Sequence, residues 1–127
     1  MKQNANKLLI IYEDDDKELA SLAKSAEKAV RPLGSVVLRS ASGMAIPELL
    51  AANSYAFCIA DHQAACWTEL LRVAKGLNLA GRKACLLGKT SSAGAAEFAA
   101  GFAATELVIQ NGLPPEAKAI TDWYKAL

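Results

Sequence analysis

Five short apolar segments, each followed by residues with helical spacing, constrain the fold of this chain more than any other feature of its sequence. The segments are residues 7–12, 35–40, 55–60, 84–88 and 106–110 (KLLIIY, SVVLRS, YAFCIA, ACLLG and ELVIQ). Because each is short, apolar and bounded by polar or turn-forming residues, we predict five strands. Their apolar runs are largely continuous rather than alternating, which is typical of strands covered on both faces. Strands that alternate with helices favour a parallel sheet in a three-layer α/β/α sandwich with right-handed crossovers.

The segments between these strands predict the helices that cover the sheet. Apolar residues recur at steps of three and four from Leu19 to Leu33, and Pro32 and Gly34 end that helix. Further helices are expected at residues 48–52, 67–75 and 95–102, and a last one begins at Pro114 or Pro115. Residues 89–94 are polar and predict a flexible loop. Since there is no linker or internal repeat, we expect residues 1–127 to form a single domain.

Composition argues against several classes of protein. Hydrophobic residues make up 53% of the chain and charged residues 21%, which is too apolar for a disordered segment. The net charge of +1 argues against a nucleic-acid-binding protein, and no apolar run approaches the length of a membrane span. Cys58, Cys66 and Cys85 form no paired motif, so we expect free thiols in a reducing compartment. The sequence therefore predicts a cytoplasmic protein that binds neither nucleic acid nor membrane. The single histidine, His62, lacks the ligand spacing of a metal site, and none is predicted.

Three loops form the candidate functional site. They are residues 13–17 after the first strand, 61–67 after the third and 89–94 after the fourth. In an open parallel sheet, ligands bind beyond the carboxyl ends of the strands, where the strand order reverses. We therefore expect these loops to meet at one edge of the sheet.

Three stretches of the sequence resemble flavodoxins, in the order and spacing of that family. Residues 77–89 (LNLAGRKACLLGK) are similar to the approach to the fourth flavodoxin strand, and residues 91–98 (SSAGAAEF) to the loop and helix start that contact the flavin ring. Residues 120–127 (ITDWYKAL) are similar to the terminal helix. The resemblance implies the strand order 2-1-3-4-5. It also implies an electron carrier that binds FMN, with the phosphate held in a hydroxyl- and glycine-rich loop after the first strand.

The loop after the first strand departs from that pattern. Residues 13–18 (EDDDKE) contain no Ser, Thr or Gly, and the first four are acidic. A phosphate monoester carries close to two negative charges near neutral pH, so Asp14 and Asp15 would repel it, and Lys17 alone cannot compensate. Acids at this position also suit capping of the following helix. We therefore predict a flavodoxin-like protein with a lost or weakened FMN site, acting as a binding or redox-partner module.

The other candidate contacts to a flavin lie in the loops after the third and fourth strands. Trp67, or less favourably His62, would stack on the ring, although Trp67 also fits the core face of its helix. Alanines stand where flavodoxins carry an aromatic residue after the fourth strand. The full set of candidate cofactor-binding residues is Asp14, Asp15, Lys17, Asp61, His62, Trp67, Thr90, Ser91, Ser92 and Gly94.

Two alternatives remain open. One is an ordinary FMN-binding flavodoxin that transfers electrons. The other is a resemblance to response-regulator receiver domains, in which Asp14 and Asp15 would hold Mg²⁺ and Asp61 would accept the phosphoryl group. Thr90 or Ser91 would supply the hydroxyl that this family has after the fourth strand. The family also needs a Lys after the fifth strand, where this chain has Gln-Asn-Gly.

No catalytic residues are predicted. The sequence has no Ser-His-Asp order, Walker loop or dinucleotide motif, and the acid–base candidate is the neighbouring pair Asp61 and His62. We expect the partner to be a protein. It is either a redox partner or a second copy of this chain, joined through the small-residue helix at 95–101 and exposed aromatic residues near the C-terminus.

Overall fold

The computed structural model describes residues 4–127 as one five-stranded parallel sheet with helices on both faces. The strands are β1 (Asn4–Tyr12), β2 (Gly34–Ser40), β3 (Ser54–Ile59), β4 (Lys83–Gly88) and β5 (Val108–Leu113). The helices are α1 (Lys17–Val30), α2 (Ile46–Ala51), α3 (Ala65–Ala74), α4 (Ser92–Ala100) and α5 (Ala117–Lys125). The strand order is β2-β1-β3-β4-β5, and every neighbouring pair is parallel. The predicted three-layer sandwich and its strand order are confirmed.

Two hydrophobic layers lie on opposite faces of the sheet. Successive residues of a strand point to opposite faces, so Tyr55, Phe57 and Ile59 of β3 enter one layer while Ala56 and Cys58 enter the other. The first layer packs against α3 and α4 and contains most of the buried aromatic side chains. The second packs against α1 and α5 and is built from smaller side chains. Because both layers are filled, β3 is buried along its whole length.

The edge strands correct the expectation that both faces are covered throughout. On β2 and β5, buried or half-buried residues alternate with exposed ones, and Val108 of β5 is 62% exposed. An edge strand has a neighbour on one side only, so more of its surface is open to solvent. Continuous apolar sequence therefore predicted burial correctly for the three central strands and overstated it at the edges.

Several boundaries differ from the sequence prediction. The last helix begins at Ala117, with Glu116 as its N-cap, rather than at Pro114 or Pro115. Two further differences have identifiable reasons. The fifth strand begins at Val108 rather than at residue 106, because residues Ala103–Thr105 form a 3-10 turn and Glu106 adopts a left-handed backbone with φ of 63°. The fourth helix begins at Ser92, with Ser91 as its N-cap. Residues 89–94 are therefore not a flexible loop throughout, since their second half is the first turn of α4.

Two cysteines and both aromatic residues near the C-terminus are buried or half-buried. Cys58 and Cys85 are free and buried, and burial raises the pKa of the Cys58 thiol to about 12. Tyr124 is fully buried and its hydroxyl donates to the carbonyl oxygen of Asn6 at 2.6 Å, while Trp123 is half-buried against the same layer. The expected exposed aromatic surface near the C-terminus is therefore wrong.

Among residues 4–127, no helix combines the length and apolar character needed to cross a bilayer.

Candidate functional site

The strand order reverses between β1 and β3, and a crevice lies at their carboxyl ends. From β1 the chain crosses over to β2 on one side, and later strands add on the other side. We define the β1–β3 crevice as the space between residues 13–16, which follow β1, and residues 60–64, which follow β3. This is the position at which open α/β sheets bind ligands. The loops predicted to carry the site do meet at this edge of the sheet.

A carboxylate of the protein itself occupies the crevice. Glu13 is only 7% exposed. Its Oε1 accepts hydrogen bonds from the backbone N–H groups of Ala60 at 2.9 Å and Asp61 at 2.8 Å, and from the indole Nε1–H of Trp67 at 2.8 Å. The backbone N–H of Glu13 donates to the carbonyl oxygen of Cys58 at 3.0 Å. Glu13 therefore ties β1, the loop after β3 and α3 together.

In the sequence, Glu13 is one of four consecutive acidic residues, and the sequence predicts no separate role for it. The signal that distinguishes it is its position. Glu13 directly follows β1, in which residues 8–11 are buried. The later acids of the loop lie farther along the chain from this strand.

Trp67 is a core residue. It is completely buried, and its ring packs edge-on against Phe57 at a centroid distance of 6.2 Å and against Phe98 at 5.3 Å. Its indole N–H is satisfied by Glu13. In this structure Trp67 presents no surface on which a flavin ring could stack, which corrects its assignment as a ring-stacking residue.

The remaining acids of the crevice point to separate partners. Asp14 Oδ1 accepts from the backbone N–H of Ser42 at 3.1 Å, and Asp61 Oδ1 accepts from that of Gln63 at 3.0 Å. Asp15 is exposed and has a left-handed backbone with φ of 63°. Within residues 4–127, no three His, Cys, Asp or Glu side chains come together as a metal site would require. The acid cluster required by the receiver alternative is therefore not assembled.

Asp16 and Lys89 join the loop after β1 to the loop after β4. Asp16 is the N-cap of α1, and its Oδ1 accepts from the backbone N–H of Leu19 at 2.9 Å. Lys89 Nζ lies 3.2 Å from Asp16 Oδ2 and 3.3 Å from Glu18 Oε2. The capping hydrogen bond, aided by Lys89, holds the pKa of Asp16 below its ordinary value. The predicted residue Lys17 lies exposed in the first turn of α1, and Lys89 is a contact that the sequence did not reveal.

His62 packs against the start of α4. Its Nε2 lies 2.8 Å from Glu97 Oε2. A Cβ on Gly94 would stand 2.8 Å from His62 Nδ1 and 2.5 Å from Thr90 Oγ1, so glycine is what permits this close approach. The Gly94 N–H donates to Ser91 Oγ at 3.0 Å. Of the candidate groups after β4, Ser91 and Gly94 are thus engaged in capping their own helix.

Thr90, Ser91 and Ser92 also line an open cleft. It has a volume of about 280 Å³ and lies between the carboxyl ends of β4 and β5, beside the first turn of α4. We call it the β4–β5 cleft. The predicted site residues therefore fall into two places on one edge of the sheet, a filled crevice and an open cleft.

Comparisons with known proteins identify the fold. No protein-family model matches the sequence, and no curated protein matches it at a significant level. Among solved structures, the flavodoxin of Megasphaera elsdenii is 15% identical, with a TM-score of 0.75 over 94% of this chain and 99% of that one. The FMN-bound flavodoxin of Fusobacterium nucleatum is 12% identical, with a TM-score of 0.72 over 95% and 96%. A short-chain flavodoxin associated with a bacterial microcompartment is 11% identical, with a TM-score of 0.74 over 96% of both chains. The chain has a flavodoxin-like fold.

Proposed function

We propose that this protein is a flavodoxin-like binding module that docks on a protein partner, such as a redox protein, and does not hold FMN as flavodoxins do. The observation that carries the proposal is the Glu13 carboxylate in the β1–β3 crevice. It takes the hydrogen-bond donors that the crevice offers to an anion.

A phosphate group would compete directly with Glu13. Two backbone N–H groups, those of Ala60 and Asp61, already donate to Glu13 Oε1 at 2.9 and 2.8 Å. A phosphate monoester carries nearly two negative charges, and placing it beside a carboxylate is unfavourable in a poorly solvated crevice. A phosphate held in the loop after β1, as in flavodoxins, would therefore be repelled by the Glu13 carboxylate, which stays bound to its three donors.

The start of α1 gives no compensating site for an anion. Asp16 already caps the helix, so it supplies the negative charge that the positive end of a helix favours. Lys89 is held by Asp16 and Glu18. Residues 13–18 contain no hydroxyl or glycine that could approach a phosphate closely.

A flavin ring would also lack its aromatic support. Trp67 is buried beneath the loop that follows β3. After β4, Ala93 and Ala96 are the exposed residues of the first turn of α4 that lie beyond the serines. The stacking that contributes to ring binding is therefore missing on both sides.

The loop edge of the sheet is suited to a partner with a basic surface. Asp15, Glu18 and Asp61 are exposed there, and Glu97 is exposed while contacting His62. Lys17 and Lys89 offset only part of this negative charge. Complementary charge accelerates and orients protein association, so we expect partner binding to weaken as salt concentration rises.

An FMN-binding electron carrier is the second candidate. It is favoured by the likeness of this fold, over 95% of the chain, to a flavodoxin of Fusobacterium nucleatum solved with FMN. The two candidates differ in one measurable property, the affinity for FMN.

The test is a titration of FMN followed by its fluorescence, with the Fusobacterium nucleatum flavodoxin as the positive control. We expect no quenching by this protein at tens of micromolar, because Glu13 occupies the crevice. A variant in which residues 13–18 are replaced by a Ser/Thr/Gly-rich loop should bind FMN more tightly than a matched variant with alanines at those positions. Tight binding by the unaltered protein would establish the electron-carrier candidate instead.

A further inference from the structure

The β4–β5 cleft is separate from the β1–β3 crevice. In the sheet, β3 and β4 stand between β1 and β5. The cleft is lined from β4, the loop after it, the first turn of α4 and β5, and by no residue of 13–18 or 60–64. Glu13 therefore does not line the cleft, whereas Thr90, Ser91 and Ser92, which do, are also candidate cofactor contacts.

A β-bulge lies at the cleft. Cys85 of β4 pairs with Gln110 of β5, and Leu87 pairs with Leu113, so two steps along β4 match three steps along β5. The extra residue lies at Asn111 and Gly112, and Gly112 has a left-handed φ of 81°. A bulge interrupts the hydrogen-bond ladder and bends its strand, and such bulges are frequent beside functional sites. Here the two residues at the bulge, Asn111 and Gly112, both line the cleft, and the strands pair again at Leu87 and Leu113.

The lining of the cleft has two distinct chemical parts. The apolar part, which we call the floor, consists of Leu87 and Leu113 from the layer that faces α1 and α5 and Ala95 from the layer that faces α3 and α4. The polar part, which we call the rim, consists of Thr90, Ser92 and Asn111. Hydroxyl and amide groups both donate and accept hydrogen bonds. Among residues 4–127, no charged side chain lines the cleft, so this lining does not neutralise a charged group taken out of water.

We propose that the β4–β5 cleft binds a small uncharged molecule that has an apolar ring at one end and an amide or hydroxyl group at the other. The ring would lie on the apolar floor and the polar group would contact the rim. The volume of about 280 Å³ is close to the lower limit of ligand pockets, which hold roughly 300–1,000 Å³. The ligand is therefore smaller than a typical drug molecule.

The test uses three probes of one shape and different charge: benzamide, benzoate and benzamidine. Each is titrated into the ¹⁵N-labelled protein, and the shifts of the backbone amide resonances are mapped. Benzamide should bind at millimolar concentration and shift the resonances of Gly88, Ser92 and Gly112. Benzoate is the most stringent comparison, because the amino end of α4 lies beside the cleft and favours anions. We expect benzoate and benzamidine to bind at least about fivefold more weakly than benzamide, in keeping with the cost of burying an unpaired charge.

Two glycines provide a matched pair of variants. Gly112 and Gly81 have φ values of 81° and 82°, and a Cβ on either one meets no atom within 4 Å. Gly112 lines the cleft, whereas Gly81 lies in the turn before β4 at the opposite edge of the sheet. Asparagine tolerates the left-handed region, so Gly112→Asn and Gly81→Asn carry the same backbone strain. Gly112→Asn should weaken benzamide binding about tenfold, a change of about 1.4 kcal/mol, and Gly81→Asn should leave it unchanged.

Several outcomes would overturn the proposal. One is the absence of benzamide shifts in the unaltered protein, and another is a set of shifts that map away from residues 88–95 and 110–113. Benzoate or benzamidine binding as tightly as benzamide would refute the uncharged class of ligand. Equal weakening by Gly112→Asn and Gly81→Asn would refute the position. Because the shift map is recorded on the unaltered protein, the proposal stays testable even if Gly112→Asn does not fold.

Discussion

The β1–β3 crevice and the β4–β5 cleft both lie at the carboxyl ends of the strands of one sheet, and they differ in occupancy and in charge. The crevice is filled by the Glu13 carboxylate, which accepts hydrogen bonds from both backbone and side-chain donors. The cleft is open, has a volume of about 280 Å³ and is lined without charge. The topology makes the first of these the expected ligand position. The side chains make the second the more available one.

This difference shows that topology locates a potential site while side chains decide whether it is available. A crevice at a switch point has backbone N–H groups that need acceptors. A ligand can supply the acceptor, and so can the protein. In this chain Glu13 supplies it to the N–H groups of Ala60 and Asp61. The cleft lies beside an extra residue in β5.

The largest expected effect comes from Gly88, which ends β4 between the two regions. A Cβ at Gly88 would stand 2.0 Å from the carbonyl oxygen of Ile59, and its φ of 133° is strained for any other residue. Gly88→Ala should therefore destabilise the protein by about 3 kcal/mol or more. Gly76→Ala is the control, since a Cβ there meets no atom within 4 Å. Urea denaturation measures both, and similar stabilities for the two variants would show that β3 and β4 are not held this closely.

The next effect tests how the crevice is filled. Glu13→Ala removes the acceptor of three hydrogen bonds, and we expect a loss of about 2–4 kcal/mol in the free energy of unfolding. Glu13→Gln keeps an accepting oxygen and should cost about half as much. Glu18→Ala is the control, because the side chain of Glu18 is 82% exposed. If Glu13→Ala costs no more than Glu18→Ala, the carboxylate does not fill the crevice in solution.

The smallest effect concerns Asp16, whose ion pair with Lys89 joins the loop after β1 to the loop after β4. Asp16→Ala should cost about 1 kcal/mol near neutral pH by removing the N-cap of α1. Asp16→Asn should cost less, since asparagine can still accept from Leu19. Thermal unfolding at neutral and acidic pH measures both variants.

The acid dependence of the same variants has a defined sign. The pKa of Asp16 is lower in the folded protein than its ordinary value of 3.8. Its charged form therefore contributes stability that is complete above pH 3.8 and is lost as the pH falls through the lower, folded-state pKa. The difference in stability between the unaltered protein and Asp16→Asn should shrink in acid. A difference that stays constant would show that the charge of Asp16 contributes nothing.

Most of the fold was accessible from the sequence because the strands and helices depend on local periodicity. The central strands are apolar on both faces, and that pattern predicts a buried parallel strand without knowledge of its neighbours. The errors occurred where tertiary context decides. The start of β5 depends on the 3-10 turn before it, and the exposure of Val108 depends on its position at the edge of the sheet.

The candidate site was less predictable because its contacts join residues far apart in the chain. The loops were located correctly, since parallel strands place their carboxyl ends together. The role of Glu13 was not predicted, because 54 residues separate it from Trp67, the donor of one of its hydrogen bonds. The core position of Trp67 was one of the two roles that its helical spacing allowed. The pairing of Lys89 with Asp16 spans 73 residues, and no local pattern indicates it.

The sequence alone determined that this chain forms an α/β sandwich with an acidic, hydroxyl-free loop after its first strand. These properties follow from local periodicity and from composition, which do not depend on long-range contacts. Only the tertiary structure decided that Glu13 of that loop turns inward. It also decided that Trp67, for which the sequence left both a core and a ring-stacking role open, lies in the core. It also decided that the open space lies between β4 and β5. The physical reason is that burial and hydrogen bonding depend on contacts between different strands and helices, because a buried donor needs an acceptor and that acceptor can lie far away in the sequence.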